Sequence, residues 1–264
     1  MLSHVTFGSN DIQRAGAFYN EVLGLLGLVR QKSYKSALGY ARRRDGAPWL
    51  WILRPYDRLP ATWGNGSHLA LMAESREQVD LFHAAALATG GRDEGAPGLR
   101  EHYAPDYYAA YVRDPDGNKL QAVNYGEGRI MAAGQGAFSH VTVGSNDLER
   151  SLAFYDELMA VLGAERFYSE PEGTAYGLPG SQKPGFSFRR PADGRAATWG
   201  NGTHVAFLAE SRAKVERFHE TALRLGGAEE GAPGPRPRYG PDYFGAYVRD
   251  LDGNKLQAVC YGPA

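Results

Sequence analysis

Three separated segments of this 264-residue sequence occur twice, at a constant spacing of 136 residues. They are Ser-His-Val-Thr at His4, Trp-Gly-Asn-Gly before His68, and Asp-Gly-Asn-Lys-Leu-Gln at Gln121. A constant spacing indicates two copies of one folding unit with no net insertion. The duplication is much longer than the repeats of solenoids and propellers, which are about 20–50 residues long. The chain is therefore expected to fold as two related units of about 130 residues.

Composition indicates an ordinary globular protein. Hydrophobic residues make up 43% of the chain and charged residues 22%, while the net charge is −1 without a basic stripe. This balance does not support binding to a nucleic-acid backbone or an anionic membrane. No apolar stretch is long enough to span a bilayer, and the first residues lack the pattern of a secretory signal. Cys260 is the single cysteine, which excludes an intrachain disulfide, so we expect a cytoplasmic protein.

The pattern of each copy alternates between strands and one helix. His4 to Phe7 alternates like a strand, Ser9-Asn10-Asp11 offers helix-capping oxygens, and apolar residues from Ile12 to Leu26 recur at helical spacing. Three strands follow. The theme then repeats from His68, with a capping box at Ser75 and Gln78 before a second helix. The sequence therefore predicts an α+β chain of four βαβββ modules.

Unit boundaries follow from the same duplication. We expect a first unit at 1–126, a linker at 127–137 that is rich in Gly and Ala, and a second unit at 138–264. Residues 61–126 match 197–262 at most positions, whereas 31–60 hardly match 167–196. If the divergent segment lines a pocket, the two pockets need not take the same ligand.

Few polar residues with the chemistry of metal ligands lie within predicted strands in both copies. They are two histidines and one glutamine in each copy: His4, His68 and Gln121, and then His140, His204 and Gln257. Imidazoles bind divalent metals well, and a nearby oxygen can complete a facial set of ligands. A glutamine offers only a neutral amide oxygen, so its contribution to affinity is expected to be weak. The alternative is structural, with histidines that hydrogen-bond backbone groups and glutamines that remain from a lost metal site.

The motifs together resemble those of the vicinal oxygen chelate superfamily, which includes glyoxalase I, bleomycin-resistance proteins and extradiol dioxygenases. The resemblance rests on Ser-His-Val-Thr, Asn-Asp-x-x-Arg-x-x-x-Phe-Tyr, Gly-x-x-His and Asp-x-Asp-Gly-Asn-x-x-x-Ala-Val, and it covers essentially the whole chain. It implies two cupped, mainly antiparallel sheets with helices on the outside. It also implies that the histidines and glutamines above occupy the family's metal-ligand positions.

Two departures from the family pattern bear on the reaction. The usual glutamate of the last strand is Gln121 in one copy and Gln257 in the other, and the strand before the second module carries no carboxylate. The resemblance therefore disfavours the glyoxalase I reaction itself, while a His-His-Gln set for a divalent ion (Fe, Mn, Ni, Zn or Mg) stays open. Dimeric relatives exchange the first-strand histidine. The sets could thus be crossed, pairing His4 with His204 and His140 with His68, or uncrossed.

Other residues are candidates for a ligand pocket beside these sets. Tyr111 and Tyr247 are the candidate catalytic groups, because a pocket tyrosine could move a proton. The candidate pocket residues are aromatic or basic: Trp51, Trp63, Trp199, Tyr108, Phe244, Arg113 and Arg249. For each, packing or a turn-bonding role is the simpler alternative.

Two functions fit these residues. The first is a metal-dependent small-molecule enzyme of the lyase, isomerase or dioxygenase type. The second is a metal-free protein that binds or sequesters an aromatic ligand, as bleomycin-resistance proteins do. A structural module with collapsed pockets is a third possibility. The expected partner is a small molecule, and the protein is expected to be a monomer or a homodimer.

Overall fold

A computed structural model describes residues 1–43, 47–126 and 137–262. Across these ranges sixteen strands and four helices follow one another as four consecutive βαβββ modules. Module one contains β1, α1 and β2 to β4: Leu2–Gly8, Ile12–Gly24, Leu28–Tyr34, Ala37–Arg42, Leu50–Leu53. Module two contains β5, α2 and β6 to β8: His68–Met72, Arg76–Ala88, Arg92–Leu99, Tyr108–Arg113, Lys119–Asn124.

The second copy repeats this order. Module three contains β9, α3 and β10 to β12: Phe138–Gly144, Leu148–Val161, Glu165–Glu170, Gly173–Gly177, Phe186–Arg189. Module four contains β13, α4 and β14 to β16: His204–Leu208, Arg212–Arg224, Ala228–Pro235, Phe244–Arg249, Lys255–Cys260. The strands form two eight-stranded, mainly antiparallel sheets, which confirms the predicted α+β class. None of the helices in the described ranges is long and apolar enough to cross a membrane.

The chain divides into two compact units. The C-terminal unit consists of Met1–Thr6, Gly64–Gly66 and Thr142–Ala264, and the N-terminal unit of Phe7–Trp63 and Ser67–Val141. Most of β1 therefore belongs to the unit that holds the second copy, and the start of β9 to the unit that holds the first. The unit limits at 126 and 138 stay a prediction, and residues 127–136 of the predicted linker lie outside the described ranges.

Within each unit, one run of strands carries the predicted site residues. In the C-terminal unit the strand order is β14-β15-β16-β13-β1, and in the N-terminal unit it is β6-β7-β8-β5-β9. In both runs the central pair is parallel, β13 with β16 and β5 with β8. One face of the N-terminal run is covered by α2, whose buried face consists of Val79, Phe82 and Ala86. Because side chains alternate along a strand, the other face carries a separate set of residues, in which the polar groups lie beside an apolar cluster around Ala70 and Val123.

Local sequence signals produce the predicted helix starts. Asp11 caps α1 by accepting from the backbone N–H groups of Gln13 and Arg14. Ser75 caps α2 by accepting from the N–H of Gln78, and the Gln78 side chain in return accepts from the N–H of Glu74. These bonds satisfy backbone donors that have no partner inside the helix. The capping box read from the sequence is therefore confirmed, with its return bond one residue earlier than the standard motif.

The Asp-Gly turn before the last strand of each copy is fixed by a buried carboxylate and a glycine. Asp114 accepts from the Tyr19 hydroxyl and from the Asn118 side chain, and burial raises the pKa of its carboxyl. Gly117 has φ +95°, and a Cβ atom there would come within 2.3 Å of the Trp63 ring. Only glycine combines this backbone conformation with this close approach. Asp250, Tyr155 and Asn254 repeat the carboxylate network.

We predict that Asp114→Ala lowers the free energy of unfolding by about 3 kcal/mol, because it leaves the Tyr19 hydroxyl and the Asn118 amide buried without their partner. Urea denaturation monitored by circular dichroism measures this change. Glu101→Ala, which removes an exposed carboxylate of equal charge, serves as the control. Equal stability of the two variants would show that the buried network does not hold the turn.

Candidate functional site

The predicted ligand residues of the C-terminal unit lie on one face of its strands. In the register of the sheet, His4 on β1 is opposite Ala206 on β13, and Ala206 is beside Gln257 on β16. Tyr247 on β15 is the next partner of Gln257. Cross-strand partners share a face, and His204 shares it too because it is two residues before Ala206. The sheet therefore brings four of the predicted residues together.

The two histidines of this cluster face each other through their Nε2 atoms. The Nε2 atoms of His4 and His204 are 3.3 Å apart, and the rings meet edge to face. In the N-terminal unit His68 and His140 repeat the arrangement, with the same 3.3 Å between their Nε2 atoms. These are the crossed sets, in which each first-strand histidine meets the histidine of the other copy.

Hydroxyl groups contact the outer nitrogen, Nδ1, of three of these rings: His4, His140 and His204. Thr6 Oγ1 donates to the carbonyl oxygen of Gly202 (3.0 Å), so the same oxygen accepts from His204 Nδ1 at 2.8 Å. That bond places the proton of His204 on Nδ1 and leaves the lone pair of Nε2 pointing at His4. Ser3 Oγ contacts His4 Nδ1 at 3.0 Å, and Ser139 Oγ contacts His140 Nδ1 at 2.9 Å. Such partners fix the orientation of an imidazole.

Each glutamine presents its amide oxygen without a hydrogen-bond partner. Gln121 Nε2 donates to the Tyr107 hydroxyl (2.8 Å), and Gln257 Nε2 donates to the Tyr243 hydroxyl (2.7 Å). Both side chains are fully buried, yet neither Oε1 has a hydrogen-bond partner of normal geometry, although the Gln257 side chain lies close enough to His204 to affect the pKa of that imidazole. A buried polar atom without a partner in the protein is costly, and a bound ion or an ordered water would satisfy it. Tyr107 and Tyr243 are not among the predicted pocket residues. Both copies carry a tyrosine at this position of the repeat, and that repetition is the sequence signal that could have identified them.

Burial keeps the histidines of the C-terminal site neutral. It lowers the pKa of His4 to about 4. Burial, followed by the charges of His4 and Lys255, lowers the pKa of His204 well below its usual range. Neutral imidazoles have the lone pairs that a metal ion or a hydrogen-bond donor requires.

The tyrosines predicted as catalytic lie against these histidines. The Tyr247 ring packs edge to face on His204, with ring centroids 5.9 Å apart, and Tyr111 packs likewise on His68 at 6.0 Å. Burial raises the pKa of Tyr247 to about 12, so its hydroxyl keeps its proton at neutral pH. Tyr247 can therefore donate a proton or a hydrogen bond, and it is a poor base.

The remaining predicted pocket residues make other contacts. The Arg113 guanidinium lies 4.2 Å from the Trp63 ring and donates to Glu94 (2.6 Å). Arg249, Trp199 and Glu230 repeat this group in the C-terminal unit. Tyr108 and Phe244 lie on the opposite face of their strands, toward the helices. The Tyr108 hydroxyl donates to Asp80 on α2, and the Arg212 guanidinium of α4 lies over the Phe244 ring. Trp51 stacks on Tyr34.

We predict that acid weakens the folded state through His4. Its pKa is about 4 when folded and about 6.5 otherwise, so between these values only the unfolded chain binds the proton. The free energy of unfolding should therefore fall as pH falls through this window, by about 2 kcal/mol between pH 7 and pH 5. Urea titrations of chelator-treated wild type and of His4→Gln measure this. An equal pH dependence in both proteins would contradict a buried neutral His4.

The model of one protein superfamily matches both halves of the chain. The model of the Glyoxalase/Bleomycin resistance protein/Dioxygenase superfamily matches residues 1–122 and 137–258. The chain belongs to this superfamily. Glyoxalase I from Zea mays shares the superfamily fold with it, with a TM-score of 0.72 at 19% identity over 98% of this chain and 92% of that chain.

Two further solved structures resemble the chain. A putative dioxygenase from Bacillus subtilis subsp. subtilis str. 168 has a TM-score of 0.65 at 16% identity, over 100% of this chain and 86% of that chain. A glyoxalase/bleomycin resistance protein from Albidiferax ferrireducens T118 is 45% identical over 47% of this chain and 97% of that chain, with a TM-score of 0.42. No curated protein matches the sequence. At 19% and 16% identity, the structures from Zea mays and Bacillus subtilis bear on the fold of this superfamily member and not on its reaction.

Proposed function

We propose that the protein is a metal-dependent enzyme acting on a small oxygen-bearing molecule, of the lyase or isomerase type. The observation that carries this proposal is the pair of facing imidazole nitrogens beside a buried amide oxygen without a partner, repeated in both units. Two nitrogens bound to one ion at about 2.1 Å would be about 3.0–3.4 Å apart. The observed 3.3 Å fits that spacing.

The donors that would hold such an ion are His4, His204 and Gln257 in one unit, and His68, His140 and Gln121 in the other. Three neutral donors suit a divalent ion such as Mn, Fe, Ni or Zn, and suit Mg less well because it prefers carboxylates. A bound ion would act as a Lewis acid toward an oxygen of the substrate. The missing carboxylate argues against glyoxalase I chemistry and, more weakly, against dioxygenase chemistry.

The tyrosines supply the proton chemistry. Tyr247 is protonated at neutral pH and touches His204, so it can donate to a substrate oxygen that gains negative charge. The Tyr243 hydroxyl accepts from Gln257 and is also hydrogen-bonded to the Tyr247 hydroxyl, so the two phenols form a linked pair of donors beside the glutamine. Both groups favour reactions that pass through an oxyanion.

A second candidate is a metal-free binding protein of the bleomycin-resistance type. It is favoured by one observation: in the described ranges, no group of three or more His, Cys, Asp or Glu side chains could hold a metal ion. In that case the two imidazoles share a proton instead of an ion. The Tyr239, Tyr243 and Tyr261 rings would then provide an aromatic surface for the ligand.

The proposed compartment rests on the single cysteine. Cys260 is buried and free, which suits a reducing compartment, so we propose the cytoplasm. A small molecule is the proposed partner, and the protein would act as a monomer or a homodimer.

The two candidates differ in their response to Mn²⁺ and to acetohydroxamate, a small chelator with two neighbouring oxygens. The enzyme hypothesis predicts that chelator-treated protein takes up two Mn²⁺ ions per chain in equilibrium dialysis and that acetohydroxamate binds only to the loaded form. The binding-protein hypothesis predicts no uptake of Mn²⁺ and quenching of tryptophan fluorescence by an aromatic ligand. Failure to bind any of Mn²⁺, Fe²⁺, Ni²⁺ and Zn²⁺ under these conditions would overturn the enzyme hypothesis.

A further inference from the structure

A repeated arginine lies beside each candidate site in a rigid setting. Arg100 donates to the carbonyl oxygens of Ala96 (2.7 Å) and Leu99 (3.2 Å). Arg236 donates to those of Ala232 (2.7 Å) and Pro235 (3.2 Å). In both copies the residue ends the segment Glu-Gly-Ala-Pro-Gly-x-Arg. Two carbonyl bonds therefore fix each guanidinium in the same position.

Glycines make room for this arginine. A Cβ atom at Gly98 would lie 3.0 Å from Arg100 Nη1, and one at Gly234 would lie 3.0 Å from Arg236 Nη1. A Cβ atom at Gly95 would lie 3.2 Å from the Tyr111 ring and crowd it. Contacts near 3.0 Å would displace the neighbour, so small residues here allow the guanidinium to lie against the strand. The setting is built from backbone and depends little on flexible side chains.

Most of the N–H donors of each guanidinium are not used by the two carbonyl bonds. It has five N–H donors, and the carbonyl bonds use two of them. Within the described ranges neither Arg100 nor Arg236 forms an ion pair with a carboxylate. The neighbouring cations differ, because Arg113 is paired with Glu94, and Arg249 and Lys255 are paired with Glu230. Arg100 and Arg236 are thus ordered cations whose charge is not offset.

These cations are one aromatic ring away from the imidazoles. The Arg236 guanidinium carbon lies 6.0 Å from the centroid of Tyr247, whose ring packs on His204. Lys255 Nζ lies 5.2 Å from the same centroid. In the N-terminal unit Arg100 and Lys119 lie 5.9 Å and 5.0 Å from the Tyr111 centroid. Each site is therefore flanked by positive charge on the side of its tyrosine.

We propose that Arg100 and Arg236 bind the carboxylate of a small organic acid whose other oxygen atoms lie toward the histidine and glutamine cluster. A planar guanidinium with free donors matches the two oxygens of a carboxylate. The inference deepens the proposed function by naming the substrate class as anionic, and it rests on that function for the use of the same site. The arginines that would bind the substrate carboxylate are therefore not Arg113 and Arg249, the two among the predicted pocket residues.

Pyruvate and its neutral amide, pyruvamide, provide the probe. Isothermal titration of chelator-treated protein at low ionic strength should show pyruvate binding at least tenfold more tightly than pyruvamide. Arg100→Gln combined with Arg236→Gln should remove that preference and leave pyruvamide binding unchanged. Arg92→Gln combined with Arg217→Gln, which removes two exposed arginines of equal charge, should keep it. A purely structural role of the arginines would not produce discrimination between the acid and its amide.

Several outcomes would overturn the proposal. They are equal or absent binding of the acid and the amide to wild type, and a preference that survives the Gln substitutions. If circular dichroism shows that the Gln variant is unfolded, Arg100→Lys with Arg236→Lys decides the question. Lysine keeps the charge and loses the planar fork, so at least a threefold loss of pyruvate affinity is expected, and an unchanged affinity would refute the anchor. Because no metal is present, this result is independent of the Mn²⁺ test.

Discussion

His4→Ala combined with His140→Ala should abolish stoichiometric binding of Mn²⁺. Each substitution removes one of the two facing imidazoles of a site and leaves one imidazole with a glutamine. Loss of a partner that only orients a ligand already weakens metal binding by about 10–100-fold. Loss of a ligand should therefore weaken it by at least about a hundredfold. Equilibrium dialysis with metal analysis measures the number of ions bound per chain.

The matched control for this experiment uses histidines on the helices. His83 contacts Asp93 at 2.8 Å and His219 lies 3.9 Å from Glu229, so both side chains lie away from the clusters. His83→Ala combined with His219→Ala removes the same residue type once from each half of the chain. It should leave two ions per chain. If both double variants lose Mn²⁺ binding equally, the effect of the His4 and His140 substitutions comes from a disturbed fold and not from the loss of metal ligands.

Gln121→Glu combined with Gln257→Glu should tighten Mn²⁺ binding by at least about tenfold. The new carboxylate offsets the charge of the ion, which a neutral amide oxygen cannot do. It also changes the apoprotein, because Gln121 now donates to Tyr107 and a glutamate must instead accept from that hydroxyl. In the absence of metal the buried carboxylate is poorly solvated, so the melting temperature of the apoprotein should fall. The gain in melting temperature on adding Mn²⁺ should exceed that of wild type.

Two glutamines at helix starts give the control for the added charge. Gln13→Glu and Gln78→Glu place negative charge on the first turns of α1 and α2, where the helix dipole tolerates it. Their combination should leave Mn²⁺ affinity within about twofold of wild type. If the Gln121 and Gln257 variant shows unchanged affinity too, neither amide oxygen faces an ion in its own site.

The architecture was accessible from the sequence because local signals agree with the duplication. Asp11 and Ser75 start helices as their side chains predict, and the four modules follow from hydrophobic patterns that both copies share. The face on which His4, His68, Gln121 and their counterparts lie also followed from strand alternation. What strand alternation could not supply is the pairing of strands that are distant in the chain. The crossed histidine sets depend on that pairing.

The hydrogen-bonding environment of the site was less accessible. Tyr107 and Tyr108 are neighbours in a tyrosine-rich run, yet one receives a bond from Gln121 and the other donates to Asp80 on the helix side. Register decides between them, and a one-residue shift would exchange their roles. The sequence alone does not point to Arg100. The bonds that hold its guanidinium go to two backbone carbonyl oxygens beside two glycines, and backbone contacts leave no recognisable side-chain motif in the sequence.

The most direct test of the proposed metal site is the position of Mn²⁺ in crystals of the wild-type chain soaked with the ion. Anomalous difference density should show one peak within about 2.0–2.4 Å of the facing Nε2 atoms in each unit, with the glutamine Oε1 also in contact. Peaks only at surface carboxylates, with the Nε2 atoms still 3.3 Å apart and no anomalous density beside them, would contradict the proposal. The imidazole pairs would then be hydrogen-bonded elements of a binding pocket.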